Sequence, residues 1–198
     1  MISLQFNTDK ELAKIRKALG PLSAKAPNVL ASAATATAKS ARKQLAAQAQ
    51  KTYAVSNANF NKEMNIRNAT KRTMTAVITS FGTAFELIRF KVNPAKLQDE
   101  KPDVIKAKVL KKHALKPLEK NGIKAFMVKF SSGHVTIAER MGNKRLPIKV
   151  LYSHGIPGML GNEKEVYNII KPDILQELTK QVDMQVDKLL KKAAKEAK

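Results

Sequence analysis

A chain of 198 residues with no cysteine and with 37 Lys+Arg against 16 Asp+Glu carries a formal net charge of +21. The missing cysteines exclude disulfides, thiolate metal sites and cysteine nucleophiles together. The charge predicts polyanionic or acidic partners and repulsion between copies of the chain. Hydrophobic residues make up 43% of the chain, but 26 of them are alanine and aromatics contribute only 5%, which suits close helix packing better than a thick interior. No stretch approaches the roughly 18 uninterrupted apolar residues of a membrane span. Residues 1–14, MISLQFNTDKELAK, lack the basic-then-apolar layout of a signal peptide, so a soluble protein made in the cytoplasm is expected.

The first predicted element is a short amphipathic helix over about residues 9–19. Thr8 and Glu11 have capping-box spacing, Leu12, Ile15 and Leu19 share one face, and Gly20-Pro21 ends the run. After Pro27 comes a stretch with nine alanines among residues 31–49 and basic residues at Lys39, Arg42, Lys43 and Lys51. Alanine favours helix, yet an Ala/Ser/Thr face gains little from an ordinary core. Such a face fits tight contact with the first helix, with a C-terminal helix, or with the same helix in another subunit. Phe60, Met64 and Ile66 suggest a third, shorter helix starting near Ser56.

From Thr70 the period changes. RTMTAVITSF and FELIRFKV, separated by Gly82-Thr83, are rich in β-branched and aromatic residues and read as two strands or a hairpin. Residues 93–103 form a polar loop in which Asp99, Glu100 and Asp103 look solvated. Next, Ile105, Ala107 and Val109 alternate with Lys106 and Lys108, as in a half-exposed strand with a basic outer face. Three runs between residues 121 and 151, joined by glycine-bearing turns, predict an antiparallel meander with Pro147 at a strand start or edge and with Phe126, Phe130 and Ile148 in the core. Asn162 and Glu165 then mark a second helix start. Leu175, Leu178, Val182, Val186 and Leu189 outline a long amphipathic helix, which Pro172 is expected to break or bend, and the basic tail is expected to fray. The reading is an α+β fold in a single domain over 1–198: a helical part at 1–68, a central antiparallel sheet at 70–152, and C-terminal helices at 162–198.

Charge is unevenly spread along this order. Residues 14–72 hold twelve Lys/Arg against one acid, Glu63, a surplus of eleven, and residues 101–130 hold nine lysines against two acids. Residues 163–190 hold four lysines against six acids, so the last helix is mildly acidic.

One segment carries a family resemblance. Residues 123–160 contain an aromatic strand at Phe126, a Ser132-Gly133-His134 turn, a strand ending in Arg140, a basic Gly142-Asn143-Lys144-Arg145 turn, and Leu146-Pro147-Ile148 before a strand. This order resembles the prophage minor tail protein Z family, and in outline the likeness extends to the basic Ala-rich helix and to the proline-bearing last helix. After Tyr152 the chain reads Ser-His-Gly-Ile-Pro where the family pattern has a Gly-Pro pair. The resemblance implies a structural virion protein of a tailed bacteriophage, a tail-completion or neck component at the head-proximal end of the tail. It also implies a homohexameric ring around the DNA passage, with tail terminator or tail tube proteins, head-tail connector proteins and genomic duplex DNA as partners. Six copies at +21 each repel one another, so the free protein is expected to be a monomer.

Enzymatic motifs are not expected. His113, His134 and His154 lie in separate segments without metal-ligand spacing, and there is no Walker, GxSxG or GxGxxG sequence, so neither cofactor nor metal is anticipated. For His134, after a glycine turn, hydrogen bonding within the turn is the plain expectation. Candidate contacts to DNA or to a neighbouring subunit are Lys39, Arg42, Lys43, Lys51, Arg140, Lys144 and Arg145, the last three alternatively forming only a solvated hairpin tip. His154, Gly155, Ile156 and Pro157 form a candidate interface loop. The rival readings are a basic architectural protein gripping phosphates, or a tail terminator or head-completion protein of the same neck.

Overall fold

The computed structural model describes residues 8–98 and 104–196. In chain order it has helix α1 (Thr8–Leu19), a 3-10 turn (Gly20–Lys25) and helix α2 (Ala26–Thr52). Strands β1 (Met64–Arg67), β2 (Val77–Ser80) and β3 (Phe85–Glu86) lead to a 3-10 turn (Leu87–Arg89) and β4 (Lys91–Asn93). Then come β5 (Lys106–Lys108), β6 (Lys116–Pro117), β7 (Glu119–Lys120), β8 (Ile123–Lys124) and β9 (Phe126–Lys129). The strands end with β10 (Val135–Arg140), β11 (Ile148–Val150) and β12 (Tyr152–Ser153). Helix α3 (Ile156–Leu160), a π turn (Glu163–Tyr167) and helix α4 (Asn168–Glu196) complete the order. The fold is α+β, helices at both ends and antiparallel sheets between them. The described residues gather into two compact units: one runs through Ala47 and adds Asn61–Phe81 and the chain from Leu160, the other comprises Gln48–Phe60 and Gly82–Met159.

The first unit is a helical layer with one hairpin. Leu12, Ile15 and Leu19 of α1 are buried as their spacing requires, and Gly20, at φ +52°, ends the α-helical run and opens the 3-10 turn, with Pro21 next. The side chain of Thr8, half of the expected capping box, lies outside the described residues. On α2 the buried stripe runs Ala26, Leu30, Ala33, Ala34, Thr37, Ala38, Ala41 and Leu45, steps of three and four that keep one face inward. Its partners are α1 and α4: Leu178, Val182 and Val186 of α4 share one apolar cluster with Leu12, Ile15, Leu19, Val29 and Leu30. Two of the three partners open to the Ala-rich helix are thus present inside the chain.

Residues 53–63 do not form the expected third helix, and the helical part ends at Thr52 rather than near 68. Phe60 and Met64 have helical spacing, but Met64-Asn65-Ile66-Arg67 alternates inward and outward and pairs as β1 with β2, Met64 opposite Ser80 and Ile66 opposite Ile78. The strands flanking Gly82-Thr83 are also not a hairpin, because β2 pairs with β1 while β3 pairs with β12.

The α4 region corrects a second expectation. Asn162 caps as anticipated, its side chain accepting from the Glu165 N–H at 3.1 Å, while its carbonyl accepts from both Val166 and Tyr167 N–H at 2.9 Å. The irregularity is therefore a π turn ahead of the helix, and α4 runs unbroken through Pro172 to Glu196. Proline lacks only the N–H that would reach the Asn168 carbonyl, and Asn168 is the first residue of α4, where the ladder is just being re-established. The basic tail, expected to fray, is helical to the same point. Leu175 is 38% exposed; the buried stripe instead runs Val166, Ile170, Ile174, Leu178, Val182 and Val186.

The second unit is a set of small antiparallel sheets. The expected meander is present, in the order β11-β10-β9, with Ala138 opposite both Phe126 and Val150, and Pro147 sits just ahead of the edge strand β11. The β4-β5-β6 sheet stands apart from it, Val92 opposite Ala107 and Ala107 opposite Lys116. Tyr53, Phe60, Phe90, Ile105 and Ile137 provide its large buried side chains. Phe126, Phe130 and Ile148 were expected there too, but Phe130 is exposed and the other two are half-buried. The reason is local: Phe130 closes the tight turn at Ser131–Gly133, while Phe126 and Ile148 line an open groove.

A candidate polyanion-binding face

The basic residues singled out from sequence fall into two groups. In the first unit, Lys39 and Lys43 lie one turn apart on the exposed side of α2, opposite the alanine stripe. Arg42 is half-buried, and its Nε is enclosed without a hydrogen-bond partner, which makes it a poor free contact. In the second unit, Arg140, Lys144 and Arg145 surround the exposed β10–β11 turn, the Arg140 guanidinium lying 5.7 Å from the Phe126 ring centre. Lys51 belongs to the last turn of α2, about 80° round the helix from Lys43, so it shares no face with it.

Lys51 instead sits beside a basic face that the candidate set had left out. The β4-β5 ladder places Lys91 directly opposite Lys108 and Asn93 opposite Lys106, so three lysines and an asparagine share one side of the sheet. Val92 and Ala107 point the other way and are buried. The β5 alternation was legible in the sequence; what could not be read was its partner strand, which doubles the lysine density. Like charges directly opposed across an antiparallel pair destabilise it, and β4, β5 and β6 contain no carboxylate to offset them.

Local bonds fix this sheet against the end of α2. Lys111 donates its backbone N–H to the Thr52 carbonyl at 2.9 Å and its Nζ to the Gln50 carbonyl at 2.8 Å. A cation is thereby bound where the helix presents unpaired carbonyls and the negative end of its dipole. Lys108 Nζ in turn donates to the Lys111 carbonyl at 3.1 Å. Two of the lysines here thus serve the architecture, while Lys91 and Lys106 stand exposed.

The interface-loop residues separate into buried and open ones. Gly155 and Ile156 are buried, and a Cβ at Gly155 would overlap the Thr83 carbonyl, so this glycine permits a close backbone approach within the chain. His154 is exposed and Pro157 half-buried, leaving these two to face outward. His134 does more than close its turn. Its Nε2 lies 2.9 Å from Glu86 Oε2, and its ring stacks on Phe130 at 6.3 Å, tying the β9–β10 turn to β3. Among the described residues no three His, Asp or Glu side chains are grouped to hold a metal ion, and no helix is long and apolar enough to cross a membrane. Comparison with protein-family models, characterised proteins and solved structures finds no match.

Proposed function

We propose that this chain is a non-enzymatic structural protein of a tailed bacteriophage, a tail-completion or neck component that joins tail to connector and surrounds the DNA passage. The observation that carries the reading is the lysine face of β4 and β5: opposed cations on a sheet without carboxylates are stabilised by an anionic partner, and evenly spaced lysines suit phosphates contacted without regard to sequence. The resemblance of residues 123–160 to the minor tail protein Z family supplies the biological setting. In that setting the ring is a homohexamer, its neighbours are tail terminator or tail tube proteins and head-tail connector proteins, and the duplex genome fills its lumen.

The test is electron cryo-microscopy of purified particles from a phage encoding this chain. Density for it at the head-proximal end of the tail, with Lys91 and Lys106 facing the lumen, is the expected result. Particles that lack the polypeptide, or that carry it on fibres or baseplate, refute the reading. A basic architectural protein shares the lysine face, and it is distinguished by tight, salt-sensitive duplex binding of the isolated monomer together with absence from virions.

A further inference from the structure

Strand β9 forms one edge of the β11-β10-β9 sheet, and the direction of its backbone groups follows from three hydrogen bonds. Leu151 N–H donates to the Ile137 carbonyl at 2.9 Å, so Ile137 turns its backbone groups toward β11 and makes no ladder bond to its partner Met127. Phe130 N–H donates to the His134 carbonyl at 2.9 Å, so the residues in phase with Phe130, which are Val128 and Phe126, bond to β10. Ala125, in the opposite phase, donates outward to the Leu118 carbonyl at 2.8 Å. Met127 and Lys129 share that outward phase, and among the described residues no strand pairs with their N–H and C=O groups on that side.

That edge opens into a groove of about 480 Å³, within the range of pockets that bury a drug-sized ligand. All four residues of β9 line it, and Arg140 and Ile148 carry it over the sheet face that they share with Phe126 and Val128, so the groove spans the β9 edge and that face. Its apolar wall is made by Leu97, Ile105, Phe126 and Ile148. Its charged groups are Lys129, Arg140 and Arg145, and no carboxylate among the described residues lines it.

We infer that this groove is a strand-addition site, in which an extended acidic segment of a partner protein pairs with Met127 and Lys129 while its carboxylates meet Arg140 and Arg145. The apolar wall would take the alternate side chains of the added strand, as in other edge-pairing recognition. Nucleic acid fits less well, because it offers no alternating donors and acceptors to an open strand edge and no aliphatic side chains to the wall. Lys129 is the kind of residue that keeps strands from adding indiscriminately, and it turns the edge selective for acidic partners. This site goes beyond the virion reading and stands without it.

The probe is a fluorescein-labelled, end-blocked heptapeptide of alternating Val and Glu, tested on the full chain by anisotropy and by amide hydrogen exchange. Two controls replace Glu by Lys, or N-methylate alternate residues so that one edge loses its N–H groups. Expected are binding of the Val/Glu peptide, about tenfold weaker binding of both controls and of Arg145→Glu, and slowed exchange at the Met127 and Lys129 amides. Arg145 is exposed, so its reversal leaves the fold intact, and Met127→Pro, which takes away the outward N–H at a strand edge where proline is tolerated, is the second variant and is expected to weaken binding likewise. Equal affinity for the N-methylated peptide, or unchanged exchange at both amides, would overturn the proposal. So would a concentration-dependent self-association abolished by Arg145→Glu, which assigns the groove to a second copy, or displacement of the peptide by a short DNA duplex that itself slows exchange at Met127 and Lys129.

Discussion

Gly155 shows how one missing side chain decides a local arrangement. Any Cβ there meets the Thr83 backbone, which cannot yield as a flexible side chain would. Gly155→Ala is therefore expected to cost about 1–3 kcal/mol, measured by chemical denaturation; a loss within experimental error would show that the Thr83 segment moves freely. Tyr167 offers a test through pH. Burial first, and the Glu163 carboxylate second, hold its phenol above the ordinary value. The unfolded phenol ionises first as pH rises, so the contribution is complete below about pH 10 and is lost as pH climbs toward the folded-state value. Tyr167→Phe should flatten the fall of stability above that pH relative to the unaltered chain, and parallel profiles would contradict the assignment.

At the scale of elements, periodicity named the helices well and their interior faces less well. Leu12, Ile15 and Leu19 are buried because a short helix can present only one apolar face. On the longer α4 two apolar stripes lie close together round the helix, and packing buries the one that holds Ile174 and Leu178 while Leu175 falls outside it. Leu178→Ala is expected to cost about 2–5 kcal/mol and Leu175→Ala within about 0.5 kcal/mol; equal losses in thermal or denaturant unfolding would mean that the two leucines are equivalently packed. The strands were legible as β-rich runs, but their partners were not. Pairing joins β1 to β2 and β3 to β12, choices that depend on which edges meet after the chain has turned and not on composition.

For the whole molecule, a net charge of +21 states only that some anionic partner is favoured. Among the described residues the fold offers three basic surfaces: Lys39 and Lys43 on α2, the lysine face of β4 and β5, and Arg140, Lys144 and Arg145 around the β10–β11 turn. They can be told apart by the salt dependence of duplex DNA binding, since each phosphate contact adds about 0.9 to the slope of log affinity against log salt. Replacing Lys91, Lys106 and Lys108 by alanine is expected to reduce that slope by up to about three, and replacing Lys39 and Lys43 to leave it nearly unchanged. The reverse result would move the nucleic-acid contact to α2.

By itself the sequence determined the α+β order, the amphipathic helices, the meander of residues 121–151 and the excess of cations, because each depends on near-neighbour spacing or on simple composition. Only the tertiary structure decided which strands are partners, that Gly155 and Ile156 lie inside, and that Lys91 comes to face Lys108. These depend on contacts between residues far apart in the chain. Their cost and gain appear only once backbone hydrogen bonds and buried area are shared across elements, and no local pattern records that sharing.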